Sequence, residues 1–227
     1  MANPNTAPLS EHAVAEANQA PSIARSSGAA IVARVSMDGD YCGRGRIQLH
    51  QKVNGYIVTD SEVDIGQTLP DDFFTIDKAK NIFDFDAYVK VFSPENIKKS
   101  LSVDYMSYGS DIRTSFRAIK PGEYYITSVY CQISDKRIVF GSKAFGFIFP
   151  GPTRPVLGDN FISIKAGQIV DAGVVNIVTV DKGFFSRPTA FLSGLETPQS
   201  FRNILKNTLS GLESKLTYAR FSATPAR

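Results

Sequence analysis

Two short phrases constrain the fold of this chain more than anything else in it. They are Lys120-Pro121-Gly122-Glu123-Tyr124-Tyr125-Ile126 and Phe161-Ile162-Ser163-Ile164-Lys165-Ala166-Gly167-Gln168-Ile169-Val170. Each joins strand-like alternation to a tight turn that contains glycine. Proline presets φ and glycine accepts a positive φ, so Lys120-Pro121-Gly122 is expected to form a type II turn. Lys165-Ala166-Gly167 reads as a second turn between strands. Such phrases speak to architecture and carry no chemistry.

The rest of the chain extends the pattern. Ala30–Val35 and Arg46–His50 read as strands, and Asn54-Gly55 is a hairpin-type turn before Tyr56-Ile57-Val58. After a loop from Asp60 to Asn81, Ile82–Phe92 alternates, with Phe83, Phe85, Ala87, Val89 and Val91 on one face. Thr114–Ile119, Tyr124–Ile133, Phe140–Phe149 and Ile169–Val180 complete the set. Short strands with turn punctuation predict a mainly β chain, an antiparallel β-sandwich over residues 29–195, rather than a parallel α/β sheet.

The two ends differ in composition. Residues 1–28 are rich in Ala, Asn, Pro and Ser, too poor in large apolar side chains to offset ordering entropy. They are expected to form a disordered arm or tether, with a short helix near Ser10–Gln19 capped by Ser10. Near the other end the period becomes helical. Phe201, Ile204, Leu205, Leu209, Leu212 and Leu216 form one stripe, with Thr197 as cap and Pro198 at the first helical position. A C-terminal amphipathic helix over 196–218, packed on the sandwich, and a flexible tail over 219–227 follow.

Pro121-Gly122-Glu123-Tyr124-Tyr125 resembles the turn-strand of transthyretin-like and carboxypeptidase-regulatory-like β-sandwiches, including bacterial envelope lipoproteins. In those lipoproteins a strand like Phe161–Ile164 precedes a glycine turn similar to Lys165–Val175, and a helix follows. The resemblance covers Arg113–Leu216. It implies an Ig/transthyretin-like sandwich in the periplasm or outer envelope and brings no catalytic residues with it. A lipoprotein needs a lipidated cysteine, and none lies near Met1, so a lipid anchor would require a removed leader.

Function classes follow from what the residues supply. Net charge is +3 and the basic residues are scattered, so nucleic acid is not the expected partner. No run approaches ~18 apolar residues, so no transmembrane segment is expected. Met1-Ala2-Asn3-Pro4 lacks a secretory signal, which leaves a cytoplasmic chain or one that begins after a removed leader. Cys42 and Cys131 allow one disulfide, which would favour the envelope. The other reading is two unrelated thiols, because spacing alone does not fix geometry.

Asp60, Glu62 and Asp64 alternate like part of a calcium loop, but Ile65 and Asp71 stand where that loop needs Gly and Glu. His50 is the one base in a strand, without a nucleophile elbow, and Asp84 and Asp86 share a strand face. No catalytic residue, metal site or cofactor is expected. Phe73, Phe74, Phe184 and Phe185 lie in connections and could anchor a protein partner. The resulting expectation is a non-catalytic envelope or surface module that binds another macromolecule. The alternatives are a cytoplasmic partner-binding protein and a β-sandwich enzyme with a surface metal.

Overall fold

The computed structural model describes residues 5–66, 112–133, 136–141, 154–180 and 189–222. In chain order the first elements are α1 (Glu11–Ala17), α2 (Ala20–Ser27), β1 (Ala29–Met37), β2 (Asp40–Tyr41), β3 (Arg44–Val53), β4 (Tyr56–Ile57) and β5 (Val63–Ile65). Next come β6 (Arg117–Ile119), β7 (Gly122–Ile133), β8 (Lys136–Gly141), β9 (Phe161–Ile164), β10 (Ile169–Val180) and β11 (Thr189–Leu195). The last are α3 (Gln199–Thr208), α4 (Ser210–Glu213) and β12 (Leu216–Tyr218). The chain is mainly β, with two sheets.

One sheet is a curled antiparallel half-barrel ordered β4-β3-β7-β8, with β5 also on β3 and β9 also on β7. The other runs β11-β10-β1-β2, with β12 on β10 and β6 on β1. This second sheet overturns the all-antiparallel expectation, because β10 pairs in parallel with both β1 and β12. The cause is where the strands begin. β1 leaves α2 through Gly28, β10 leaves the Lys165–Gly167 turn, and the Gly167 N–H donates to the Gly28 carbonyl at 2.6 Å. Two strands that start side by side run the same way.

Both glycine phrases turn out to carry the chain from one sheet to the other. Gly167, at φ 78°, closes a turn in which Gln168 N–H donates to Lys165 O, and it links β9 to β10. Lys120-Pro121 links β6 to β7. Here the expected type II turn does not form: Gly122 has φ 153°, more extended than the ~80° of that turn. The chain bends there instead of reversing. Tyr124 fixes the bend, its hydroxyl donating to Lys120 O at 3.0 Å and accepting from Gln51 Nε2 at 3.0 Å.

Between the sheets lies the main core, with Ile31, Val35, Ile47, Leu49, Ile126 and Val175 among its members. A second apolar layer covers the other face of the mixed sheet, where Ala30 and Val32 meet Ala17, Ala20, Ala24, Phe201 and Leu205. All nine residues of β1 are therefore buried, as suits a strand covered on both faces.

The disordered arm is thereby corrected. Ser10 does cap α1, accepting from Ala13 N–H. But α1 and α2 continue to Ser27 and pack on the sheet, with Ala13, Ala17 and Ala20 fully buried. Small side chains let the helices approach closely, and burying alanine costs no rotamer entropy. The C-terminal helix is shorter than expected. It breaks at Leu209, whose backbone leaves the helical region at φ −133° and ψ 44°, and Leu216 belongs to β12. Residues 219–222 are no free tail: Ala219 N–H donates to Asp171 O, Phe221 is buried, and Ser222 bridges Phe161. The Ile82–Phe92 strand and residues 142–149 lie outside the described residues.

Cys42 and Cys131 form a disulfide, with Cα atoms 5.5 Å apart. It joins the β2 edge of the mixed sheet to β7 of the half-barrel.

Replacing Ala20 by Leu forces three extra carbons between α2 and the sheet. Such overpacking lowers stability by about 1–3 kcal/mol in denaturant unfolding, whereas a mobile arm would leave it unchanged.

Candidate functional site

Arg34 and Asp171 are single charges inside apolar strand runs, and both are fully buried. Arg34 Nη1 and Nη2 grip the two carboxylate oxygens of Asp171 at 2.7 and 3.1 Å. Nε donates to Arg113 O at 3.1 Å, Nη2 adds a second bond to the same carbonyl, and Nη1 reaches Thr197 Oγ1 at 3.3 Å. All five guanidinium donors are thus used. Asp171 also accepts from Thr197 Oγ1 at 2.6 Å and from Gly173 N–H at 3.0 Å. Burial opposes the charge of Arg34, yet the Asp171 carboxylate outweighs it and raises the Arg34 pKa above its ordinary value.

Backbone and ring contacts complete this centre. A bulge displaces the β1–β10 register between Val32 and Arg34, and Gly173 sits in it at φ 73°. A Cβ at Gly173 would lie 2.1 Å from Leu195 O, so only glycine fits. The Arg34 guanidinium lies 4.8 Å from the centroid of Phe201, and Arg113 lies 5.2 Å from the same ring. Arg113 in turn donates to Ala7 O and Pro8 O. Thr197, expected to cap α3, spends its hydroxyl on Asp171 instead, and α3 begins without a side-chain cap. With every donor used inside the protein, the centre binds the fold to itself.

Tyr218 stands beside this pair. Its buried hydroxyl has no hydrogen-bond partner. Burial, together with the negative charges of Asp171 and Glu213, pushes its pKa up to about 12 against the pull of Arg202 and Arg34. Arg202 stacks over its ring at 4.2 Å.

A second polar group lies on the outer face of the half-barrel. His50 Nδ1 is 2.7 Å from Thr127 Oγ1, at the bulge opposite Gln48. Thr127 Oγ1 also lies 3.3 Å from Gln48 O. His50 Nε2 faces Glu62 Oε2 at 3.8 Å. Thr127 is fully buried. The carboxylates likened to a calcium loop do not converge. Asp64 binds Arg46 and Glu62 accepts from Gln48 Nε2. Among the described residues, no three His, Cys, Asp or Glu side chains group to hold a metal.

The candidate binding surface is the β3–β4 hairpin. Asn54 and Gly55 turn it with φ 52° and 85°, the conformations a two-residue hairpin requires. On its outer face Lys52 sits 4.9 Å over the Tyr125 ring, which stacks on Phe161. Alternation places Val53 on the face that Ile47 and Leu49 turn into the core, and Tyr56 pairs with Val53. They lie at the end of the sheet, where Val53 is 51% exposed and Tyr56 78%. A core face has been carried past the core.

Elsewhere, a groove of about 360 Å³ opens between α2 and α4, lined by Val14, Pro21, Leu209, Gly211 and Lys215. Its described lining contains no carboxylate or imidazole. No described helix is long and apolar enough to cross a membrane. Of the sequence candidates, Cys42 and Cys131 come together, while Phe73, Phe74, Phe184 and Phe185 lie outside the described residues. Sequence reasoning missed Arg34, Asp171, Thr197 and Tyr56. The signal for the first two was there, a lone charge inside Ala29–Met37 and another inside Ile169–Val180. No family model, curated protein or solved structure matches this chain.

Removing one partner of the buried pair strands the other. Asp171→Ala is expected to cost about 3–5 kcal/mol in equilibrium unfolding, and the double variant Arg34→Met, Asp171→Leu to recover most of it.

Tyr218 has a raised folded-state pKa, so its contribution is intact below the unfolded value of about 10 and is lost as pH rises toward about 12. Alkaline unfolding curves should therefore shift to higher pH in Tyr218→Phe. The variant should be as stable as the parent at neutral pH, because it removes an unpaired buried hydroxyl.

Proposed function

We propose that this chain is a non-catalytic binding module of a bacterial envelope, a transthyretin-like sandwich that docks a protein partner on its β3–β4 hairpin. The observation that carries the reading is the exposed pair Val53 and Tyr56 on a hairpin whose other face is anchored. Rigid exposed aromatic and aliphatic side chains are favoured interface anchors, since little side-chain entropy is lost when they are covered.

Two further features support it. The Cys42–Cys131 bridge suits an oxidising compartment. The Tyr124 hydroxyl, bonded four residues back to Lys120 O, is a tyrosine corner of the kind found in Ig-like sandwiches. The mixed sheet departs from that family's all-antiparallel arrangement, so the likeness rests on the half-barrel and its entry bend.

Native protein isolated from its source should gain two hydrogens in intact mass on reduction. A photo-crosslinking residue at position 56 should trap one heavier protein species in those cells, while the same residue at the exposed Lys136 should not. Free thiols would move the chain to a reducing compartment, and equal trapping at both positions would sink the hairpin as the docking face.

A further inference from the structure

β11 is the end strand of the mixed sheet, and among the described residues its only strand partner is β10. An end strand leaves a row of N–H and C=O groups free to pair with another chain, and proteins usually guard such rows with charge, proline or a bulge. Thr189-Ala190-Phe191-Leu192-Ser193-Gly194-Leu195 contains no charge and no proline, and its register with β10 is unbroken over seven pairs.

The two faces of β11 differ. Ala190 and Leu192 pack toward the main core, and Gly194 lies against Phe221, whose carbonyl would be 2.6 Å from a Cβ there. Phe191, Ser193 and Leu195 alternate onto the other face, where Phe191 is 53% and Leu195 46% exposed.

We propose that β11 is a dimerisation edge, pairing antiparallel with β11 of a second copy about a two-fold axis at Ser193. Directly opposite residues of an antiparallel pair share a face, so the sum of paired positions must be even for each outer residue to meet another outer residue. The axis at Ser193 sets Phe191 against Leu195 of the second copy, twice by symmetry, and Leu192 against Gly194. All four exposed side chains are then covered. An axis at Leu192 opposes Phe191 to serine, and an axis at Phe191 leaves Leu195 uncovered. Opposing apolar pairs are the unit of sheet stabilisation, and the same patch on both copies closes the assembly. A second copy is the fitting occupant because the strand is complementary to itself and carries no charge to select a different partner.

The test uses the full chain in sedimentation and light scattering, with three variants. Ser193→Lys places two like charges opposite each other at the axis. Ser193→Cys brings two thiols within bridging distance, and Phe191→Cys serves as a register control. The expected results are twice the monomer mass at micromolar concentration, return to monomer mass in Ser193→Lys with unchanged Tm, and a covalent dimer on mild oxidation of Ser193→Cys alone. A monomer throughout, a dimer that persists in Ser193→Lys, or cross-linking through Phe191→Cys instead would overturn the proposal. An apolar-to-polar variant of Tyr56 should leave the dimer intact, so a failure of the hairpin reading and a failure of this one are separable.

Discussion

The buried pair of Arg34 and Asp171 holds more of this chain together than any other contact. It joins neighbouring parallel strands, and its surplus donors and acceptors recruit what lies around it. Arg113 O and Thr197 Oγ1 fix the entries to β6 and α3, and Ala219 N–H docks the chain end on the Asp171 carbonyl. Arg113 then reaches Ala7 O and Pro8 O, which pins the approach to α1. A buried ion pair of this kind contributes modestly against apolar isosteres, but it is intolerant of a missing partner. That intolerance makes it a selector of register: a slip of β1 along β10 would strand two charges in the core.

The pair also explains why the mixed sheet is bulged. Asp171 needs a donor beyond the five that Arg34 divides among three acceptors, and Gly173 N–H supplies one only because the chain is displaced at that point. The same displacement brings Leu195 O to 2.1 Å from where a side chain at 173 would begin. Glycine, bulge and carboxylate are therefore one device. The half-barrel has its own version at Thr127, where a bulge turns a hydroxyl toward His50 and lets the sheet curl.

The sequence disclosed punctuation better than partnership. Asn54-Gly55 turns where it was expected to, and Ile169–Val180 is a strand over that whole run, because a positive-φ glycine and a stretch of β-branched residues act locally. Which sheet each strand enters is a long-range matter. Nothing within Lys120–Ile126 says that the strand before Pro121 and the strand after it belong to different layers. The first leading helix was legible from its Ser10 cap, but α2 and the packing of the whole segment were not, for a related reason. Ala17, Ala20 and Ala24 bury little area each, and they matter only because a sheet face lies close above them. Thr197 looked like a cap until a buried carboxylate outcompeted the helix for its hydroxyl, and the periodicity of Leu209–Leu216 ran on past the point where the backbone turned into β12.

These constraints are distributed unequally along the two sheets. At one end the sheets are joined by crossings in which Gly28 meets Pro121 and Gly167. Toward the other end the Cys42–Cys131 bridge joins the two sheets, and the bonds from Thr179 to Asp38 tie β10 to the β1–β2 turn within the mixed sheet. The bridge encloses a separation of 89 residues, a loop long enough for its closure entropy to approach about 4–5 kcal/mol. Two features escape both closures, the β3–β4 hairpin beyond the glycine crossings and the uncharged edge of β11. Both leave large apolar side chains in water, Val53 and Tyr56 on the hairpin and Phe191 and Leu195 on β11. Exposure on strands this firmly held is not a by-product of loose packing; it is what remains when the interior has been satisfied.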